Sequence, residues 1–231
     1  MLCITTTHRP ATDLGFLLHK NPERNYSADL TFGKVHVIYP EATEERTTAA
    51  VLLDFDHVRL VRGRGDAQGS LAQYVNDRPY VASSFLSVAL VETFGTAMAG
   101  RSKERQELAE TPIPLELHVP VLPCRAGEDR IRRLFEPLGY EMVETPLPLD
   151  EQFPEWGTSP YFDIKLKGTV RLRDALRHLY ILLPVLDAKK HYYMDVSEVQ
   201  KLLSKAVGEE EAVMGDGNSY TGCLMEKRLR A

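Results

Sequence analysis

The chain has 231 residues, 43% of them hydrophobic, and a formal net charge of −5, enough for one large globular unit or two small ones with a real core. No apolar run reaches the roughly 20 residues a membrane helix needs, and Met1-Leu-Cys-Ile-Thr5 lacks the basic and apolar segments of a secretory signal, so no membrane contact and a cytoplasmic location are expected. The acidic balance argues against whole-molecule attraction to nucleic acid phosphates, and Cys3, Cys124 and Cys223, odd in number and far apart, argue against a disulfide framework or a cysteine zinc site.

Leu2–Thr7 reads as a short β-branched strand, ended by His8-Arg-Pro10. A helix is expected from about Thr12 to Lys20, with Leu14, Leu17 and Leu18 on one face and Asn21-Pro22 ending it. Ala28–Phe32 and Lys34–Tyr39 form a hairpin about Gly33, in which Val35, Val37 and Tyr39 alternate with Lys34, His36 and Ile38. Thr47–Phe55, continuously apolar over Ala49-Ala-Val-Leu-Leu53, reads as a buried strand. Gly63–Ser70 is a loop.

The next segment has the strongest local logic. Asn76-Asp-Arg-Pro79 is a polar turn leading straight into a helix. Pro79 suits a first helical turn, and Asn76 or Asp77 can cap the donors ahead of it. Val81, Phe85, Val88, Ala89 and Glu92 recur at helical spacing, while Ala82, Leu86, Leu90 and Val91 fill the other side. A helix apolar nearly all round is expected in a core.

After the charged segment Arg101–Glu110, Thr111-Pro-Ile-Pro114 is the best internal boundary. Beyond it come a strand (Leu115–Val121), a helix (Glu128–Leu138), strands at Tyr140–Leu147 and Tyr161–Val170, a helix (Arg171–Leu183) and a short strand (His191–Met194). That βαββαβ order suggests a ferredoxin-like lobe. Val196–Ala206 is a last helix with Ser197 and Gln200 as a capping box. The expected fold class is therefore α+β, with two mixed α/β lobes, the second ferredoxin-like. The expected units are 1–110, 111–207 and a mobile acidic tail, 208–231.

Several chemistries are tested against these elements. In Val61-Arg-Gly-Arg-Gly-Asp-Ala-Gln-Gly69 no helix starts among the glycines, so the phosphate-cradling geometry of a cofactor turn is missing. None of His8, His19, His36, His57, His118, His178 and His191 has metal-ligand spacing to a neighbour, although His178 and His191 could approach each other. Asp54 and Asp56 share a strand face and could hold Mg²⁺ or do acid–base work, but strand-end acids are usually solvated. Ser83, Ser84 and Ser87 lack a nucleophile elbow and are expected to bond back to helix carbonyls. No K-x-D-G nucleotidyl-transfer string is present, and Lys189-Lys190 reads as surface charge.

What survives is an interface. Asn76, Asp77, Arg78, Tyr80, Arg101 and Lys103 flank one rigid helix, and Arg and Tyr are residue types that anchor protein contacts. The competing reading makes Asp77 and Arg78 local caps and pairs. Phe153, Trp156 and Tyr161, in the long connection leading to the strand at Tyr161–Val170, are a second candidate surface, with core packing of Trp156 favoured. Arg59, Arg62 and Arg64, or Arg101, Lys103 and Arg105, could form local basic patches.

The segment Gln73–Arg101, together with Ile4-Thr-Thr-Thr-His8, Tyr39-Pro-Glu-Ala-Thr-Glu-Glu-Arg46, Phe135-Glu-Pro-Leu-Gly-Tyr140, Phe153-Pro-Glu-Trp-Gly157, Arg171-Leu-Arg-Asp174 and Pro184-Val-Leu-Asp187, resembles the N-terminal half of the bacterial 3′-terminal RNA ribose 2′-O-methyltransferases. The resemblance spans roughly residues 1–205. It implies a non-catalytic domain without a cofactor, since S-adenosylmethionine and a divalent metal belong to the family's C-terminal half. It also implies a hetero-oligomeric partner, the ligase domain of a bacterial polynucleotide kinase–phosphatase–ligase, whose adenylation the domain promotes. RNA contact would then be indirect; the alternative is an RNA-binding module that presents RNA ends.

Overall fold

The computed structural model describes residues 1–56, 84–124 and 127–187. Among these residues, seven strands form one antiparallel sheet: β1 (Leu2–Thr6), β2 (Tyr26–Leu30), β3 (Gly33–Ala42), β4 (Thr47–Phe55), β5 (Ile113–Pro123), β6 (Glu141–Pro148) and β7 (Thr158–Val170). Among the described residues, five helices accompany them: α1 (Leu14–Leu18), extended at its start by a 3₁₀ turn over Ala11–Asp13; α2 (Ser84–Met98); α3 (Gln106–Glu110); α4 (Glu128–Phe135), continued as a 3₁₀ turn to Leu138; and α5 (Leu172–Asp187). None of the described helices is long and apolar enough to cross a membrane.

The strand order is β2-β3-β4-β1-β5-β7-β6. Strands β5, β7 and β6 take the relative places expected of a ferredoxin-like lobe. The place beside β5, which the fourth strand of such a lobe would hold, is filled by β1: Cys3 pairs with His118 and Ile4 with Leu117. On its other edge β1 pairs with β4, Ile4 opposite Ala49. The sheet is thus continuous across the Pro-rich boundary at residues 111–114. The expected strand at 191–194, the last helix and the tail lie outside the described residues.

Period-two alternation sends one face of every central strand into the core. Val35, Val37, Ala49, Val51, Leu2, Ile4, Leu115, Leu117, Ile164 and Leu166 are all buried there, in one cluster with Leu86 and Leu90 of α2, Ile131 and Phe135 of α4, and Leu176, Leu179 and Leu183 of α5. Helices therefore cover this face. The opposite face carries polar residues on β1, β5 and β7. One cross-strand row runs Thr48–Thr5–Glu116–Lys167–Glu141. Arg46 reaches Glu41 at 3.2 Å and Glu116 at 3.8 Å, and Lys167 reaches Glu116 at 3.5 Å.

Helix α2 is not buried all round. Leu86, Ala89, Leu90, Phe94, Ala97 and Met98 face the core, whereas Val88 is exposed. Phe94 leaves helical geometry (φ −120°, ψ 21°), which kinks the helix. The Lys20 ammonium caps the Thr93 carbonyl at this kink, at 3.0 Å, and lies 4.1 Å from the centre of the Tyr26 ring. A cation at the end of a helical segment is favourably placed against its dipole, and the aromatic face adds to this.

Candidate partner-docking surface

Arg101 and Lys103 owe their position to two helix ends. α2 closes in a Schellman arrangement: the Arg101 N–H donates to the Thr96 carbonyl at 3.2 Å and the Gly100 N–H to the Ala97 carbonyl at 2.9 Å. Gly100 takes the left-handed conformation this closure needs (φ +70°). α1 closes in the same way with His19 as its left-handed residue (φ 55°) and a Lys20 N–H to Gly15 carbonyl bond of 3.0 Å.

The two ends are then stitched together. His19 Nε2 donates to the Arg101 carbonyl at 2.8 Å, and the Ser102 hydroxyl donates to the Phe16 carbonyl at 3.3 Å. The Gln106 side chain accepts from the Ser102 N–H at 2.9 Å and donates to the Gly100 carbonyl at 3.0 Å. Arg105, grouped with Arg101 and Lys103 by the sequence, turns inward. Its Nε donates to the largely buried Asp13 carboxylate at 2.8 Å, and its guanidinium lies 4.9 Å from the Phe16 ring centre. The hydrogen bond to Asp13, then that group's charge, raises the Arg105 pKa above its ordinary value.

Arg101 and Lys103 are exposed and, among the described residues, pair with no carboxylate. They stand on a backbone fixed from both sides. Beside them lies a groove of about 670 Å³, bordered by Phe16, His19, Lys20, Pro22, Lys103 and Glu104. The other candidates for this surface, Asn76, Asp77, Arg78 and Tyr80, fall outside the described residues, as do the arginines at 59, 62 and 64.

The second candidate surface departs from expectation. Trp156 is not packed in the core: it is 60% exposed and Phe153 is 42% exposed. Their rings stack with centres 4.7 Å apart and planes 13° apart. Leu149, 59% exposed, is close by in the same β6–β7 connection. Its main chain is well bonded. The Leu149 N–H donates to the Gly157 carbonyl at 3.0 Å, and the Trp156 N–H to the Phe153 carbonyl at 3.0 Å. The Gly157 N–H donates to the Pro154 carbonyl at 3.1 Å, and the Gln152 N–H to the Asp150 carboxylate at 2.7 Å. Pro154 opens a 3₁₀ turn through Trp156.

Several other ionisable residues have structural partners. His118 Nε2 lies 3.0 Å from both oxygens of Asp163 on the open face, and His36 pairs with Ser27. His178 Nδ1 lies 2.9 Å from the Tyr140 hydroxyl. Burial lowers the His178 pKa, partly opposed by Asp174, and burial also raises that of Tyr140. Arg132 of α4 binds Glu144 of β6. Burial pushes the Cys3 thiol pKa up, against the pull of the nearby N-terminus, so this thiol is not an activated nucleophile. Asp54 and Asp56 border a separate, smaller groove with Asp29 and Lys34. Among the described residues no three of His, Cys, Asp and Glu gather closely enough to hold a metal ion. The Ser87 hydroxyl, expected to bond back to its helix, is buried without a hydrogen-bond partner among the described residues. His191 lies outside them, so its approach to His178 does too.

Comparison with solved structures supports the architecture. A chain in the structure of the Pnkp1/Rnl/Hen1 RNA repair complex matches with a TM-score of 0.58 at 14% identity, over 89% of this chain and 47% of that one. A chain in a second Pnkp1/Rnl/Hen1 complex matches with a TM-score of 0.57 at 13% identity, over the same shares of the two chains. At such identities the likeness is one of fold, and this chain spans about half the length of the chains it matches. No curated protein matches the sequence. The family model for the RNA repair, ligase–Pnkp-associating region of Hen1 matches residues 1–210. The chain belongs to that family.

Proposed function

We propose that this chain is a non-catalytic docking module that binds the ligase of an RNA-repair kinase–phosphatase–ligase and favours formation of the ligase–adenylate. The observation that carries the reading is the family match over residues 1–210, to a region described by its association with ligase and Pnkp. Methyl transfer, with its S-adenosylmethionine and divalent metal, belongs in this reading to a C-terminal half that this chain does not include. An activator works by binding the competent conformation of its target better than the incompetent one. Ten-fold activation needs about 1.4 kcal/mol of such preference, well within what a few ordered side chains supply.

Arg101 and Lys103 are offered as part of the contact, with Asn76, Asp77, Arg78 and Tyr80. Support comes from their exposure on a backbone held by the α1 and α2 ends, since little ordering entropy remains to be lost when such groups bind. Direct RNA binding by the open sheet face has less support, because Arg46 and Lys167 there are both engaged by Glu116. The test mixes the chain with the purified ligase and follows co-elution and adenylate formation. Co-elution with faster adenylation is expected, reduced in Arg101→Ala/Lys103→Ala at unchanged melting temperature. Wild-type chain that neither co-elutes nor accelerates adenylation would overturn the reading.

A further inference from the structure

The β6–β7 connection concentrates features that folding alone does not explain. Three large apolar side chains, Leu149, Phe153 and Trp156, are exposed within eight residues of one another. Single exposed apolar residues are ordinary on a protein surface, but a group of them in one loop marks an interaction site. The group is also ordered. Three main-chain hydrogen bonds, a fourth from the Gln152 N–H to the Asp150 carboxylate, the Pro154 turn and the stacking of the two rings define the loop. Rigid aromatic side chains bring large contact areas at low ordering cost, which is why Trp and Tyr dominate interface hot spots.

Charge selects the partner. The connection Leu149-Asp-Glu-Gln-Phe-Pro-Glu-Trp-Gly157 holds three carboxylates, Asp150, Glu151 and Glu155, and no Lys or Arg. Glu151 and Glu155 are exposed. Stacked aromatic rings could receive nucleobases, but single-stranded RNA would bring its phosphates against these carboxylates without a cation in the loop to neutralise them. An apolar protein pocket rimmed by Lys and Arg gains from both features.

We infer that Leu149, Phe153 and Trp156 form a docking finger that inserts into an apolar, basic-rimmed pocket on the ligase partner. The assignment rests on the ligase-binding reading above and adds to it a second contact, opposite in charge to Arg101 and Lys103.

The experiment uses the fact that Trp156 is the one tryptophan of the sequence. The full chain labelled with 5-fluorotryptophan gives a single fluorine resonance, even in a complex with unlabelled ligase. Titration with ligase should shift and broaden that resonance. Phe153→Ala/Trp156→Ala should weaken ligase binding by roughly 25-fold or more, the factor that corresponds to a hot-spot loss of about 2 kcal/mol, while its melting temperature stays near wild type. Glu151→Gln/Glu155→Gln should slow association and flatten its salt dependence.

Wild-type chain that binds ligase with an unmoved resonance, or a Phe153→Ala/Trp156→Ala chain that binds like wild type, would overturn the finger and leave the ligase reading standing. Absence of wild-type binding would overturn both. A resonance that moves with a short single-stranded RNA but not with ligase would assign the stack to RNA and overturn the proposal. So would one that moves only when residues 208–231 are removed, because the finger would then belong to the chain's own tail.

Discussion

Replacing Gly100 with alanine tests the joint that aims Arg101 and Lys103. Gly100 has φ +70°, a conformation that costs an L-residue about 1 kcal/mol. A Cβ there would also stand 2.8 Å from Cδ of Arg173, so Arg173 must move. Its Nε, buried and without a hydrogen bond among the described residues, lies 3.3 Å from the Asp174 carboxylate, an ion pair worth up to about 1 kcal/mol. Gly100→Ala should therefore cost about 2 kcal/mol. Gly139 is the control: its φ is +85°, and an added Cβ would meet nothing within 4 Å. Gly139→Ala should cost about 1 kcal/mol. In a protein of this size 1 kcal/mol moves the melting temperature by about 2–4 °C. The expected losses are thus about 4–8 °C at Gly100 and 2–4 °C at Gly139, read by thermal unfolding followed by circular dichroism. Equal losses would refute the reasoning that Arg173 of α5 crowds Gly100. A Gly100→Ala chain that keeps wild-type ligase affinity would show that the aim of residues 101–103 does not matter for binding.

Three further outcomes are expected. Burial lowers the folded-state pKa of His178, so on acidification the unfolded chain takes up that proton first. The stability contributed by neutral His178 is present above its ordinary value of 6.5 and is lost as pH falls below it. Melting temperature measured from pH 7.5 to 5 should fall more steeply for wild type than for His178→Gln. Ser87→Ala should be neutral or stabilising by about 1 kcal/mol, because it removes a buried hydroxyl without a partner and adds a better helix former; a large loss in urea unfolding would reveal a bond to that hydroxyl. Asp13→Asn should lower the melting temperature and weaken ligase binding less than Arg101→Ala/Lys103→Ala does, since Asp13 holds Arg105 in place and is itself largely buried.

Local signals carried most elements and failed where distant residues decide. Thr47–Phe55 was readable to the residue, and Glu128–Leu138 nearly so, because apolar runs, glycines and prolines mark their ends. The end of α5 was not readable. The expected end was Leu183, yet the helix continues to Asp187 with Leu183 and Leu186 buried on either side of Pro184. Tertiary burial outweighs the lost main-chain bond there. The exposure of Trp156 was also hidden, since an aromatic residue in a loop has the same sequence signature whether it packs inward or projects. At the candidate surface, the role of Gly100 in ending α2 emerges only from the structure. Nothing local distinguished Arg105, which turns to Asp13 across 92 residues, from Arg101, which stays free of it. Partner choice over such separations is a property of the folded topology.

The seat of β1 between β4 and β5 has a practical consequence for dividing this protein. The strand supplies Leu2 and Ile4, both fully buried, to the middle of the sheet, and its two edges bond to neighbours more than 40 and 100 residues away in sequence. Cutting the chain at the Pro-rich boundary would strip β5 of one neighbour and leave a long apolar edge open to intermolecular pairing. A fragment beginning at residue 111 should therefore self-associate. A chain lacking its first seven residues would present a vacant slot shaped for one short strand. A synthetic peptide of those seven residues should restore its melting transition by non-covalent reconstitution, making this strand a natural place to split the molecule for reporter assays.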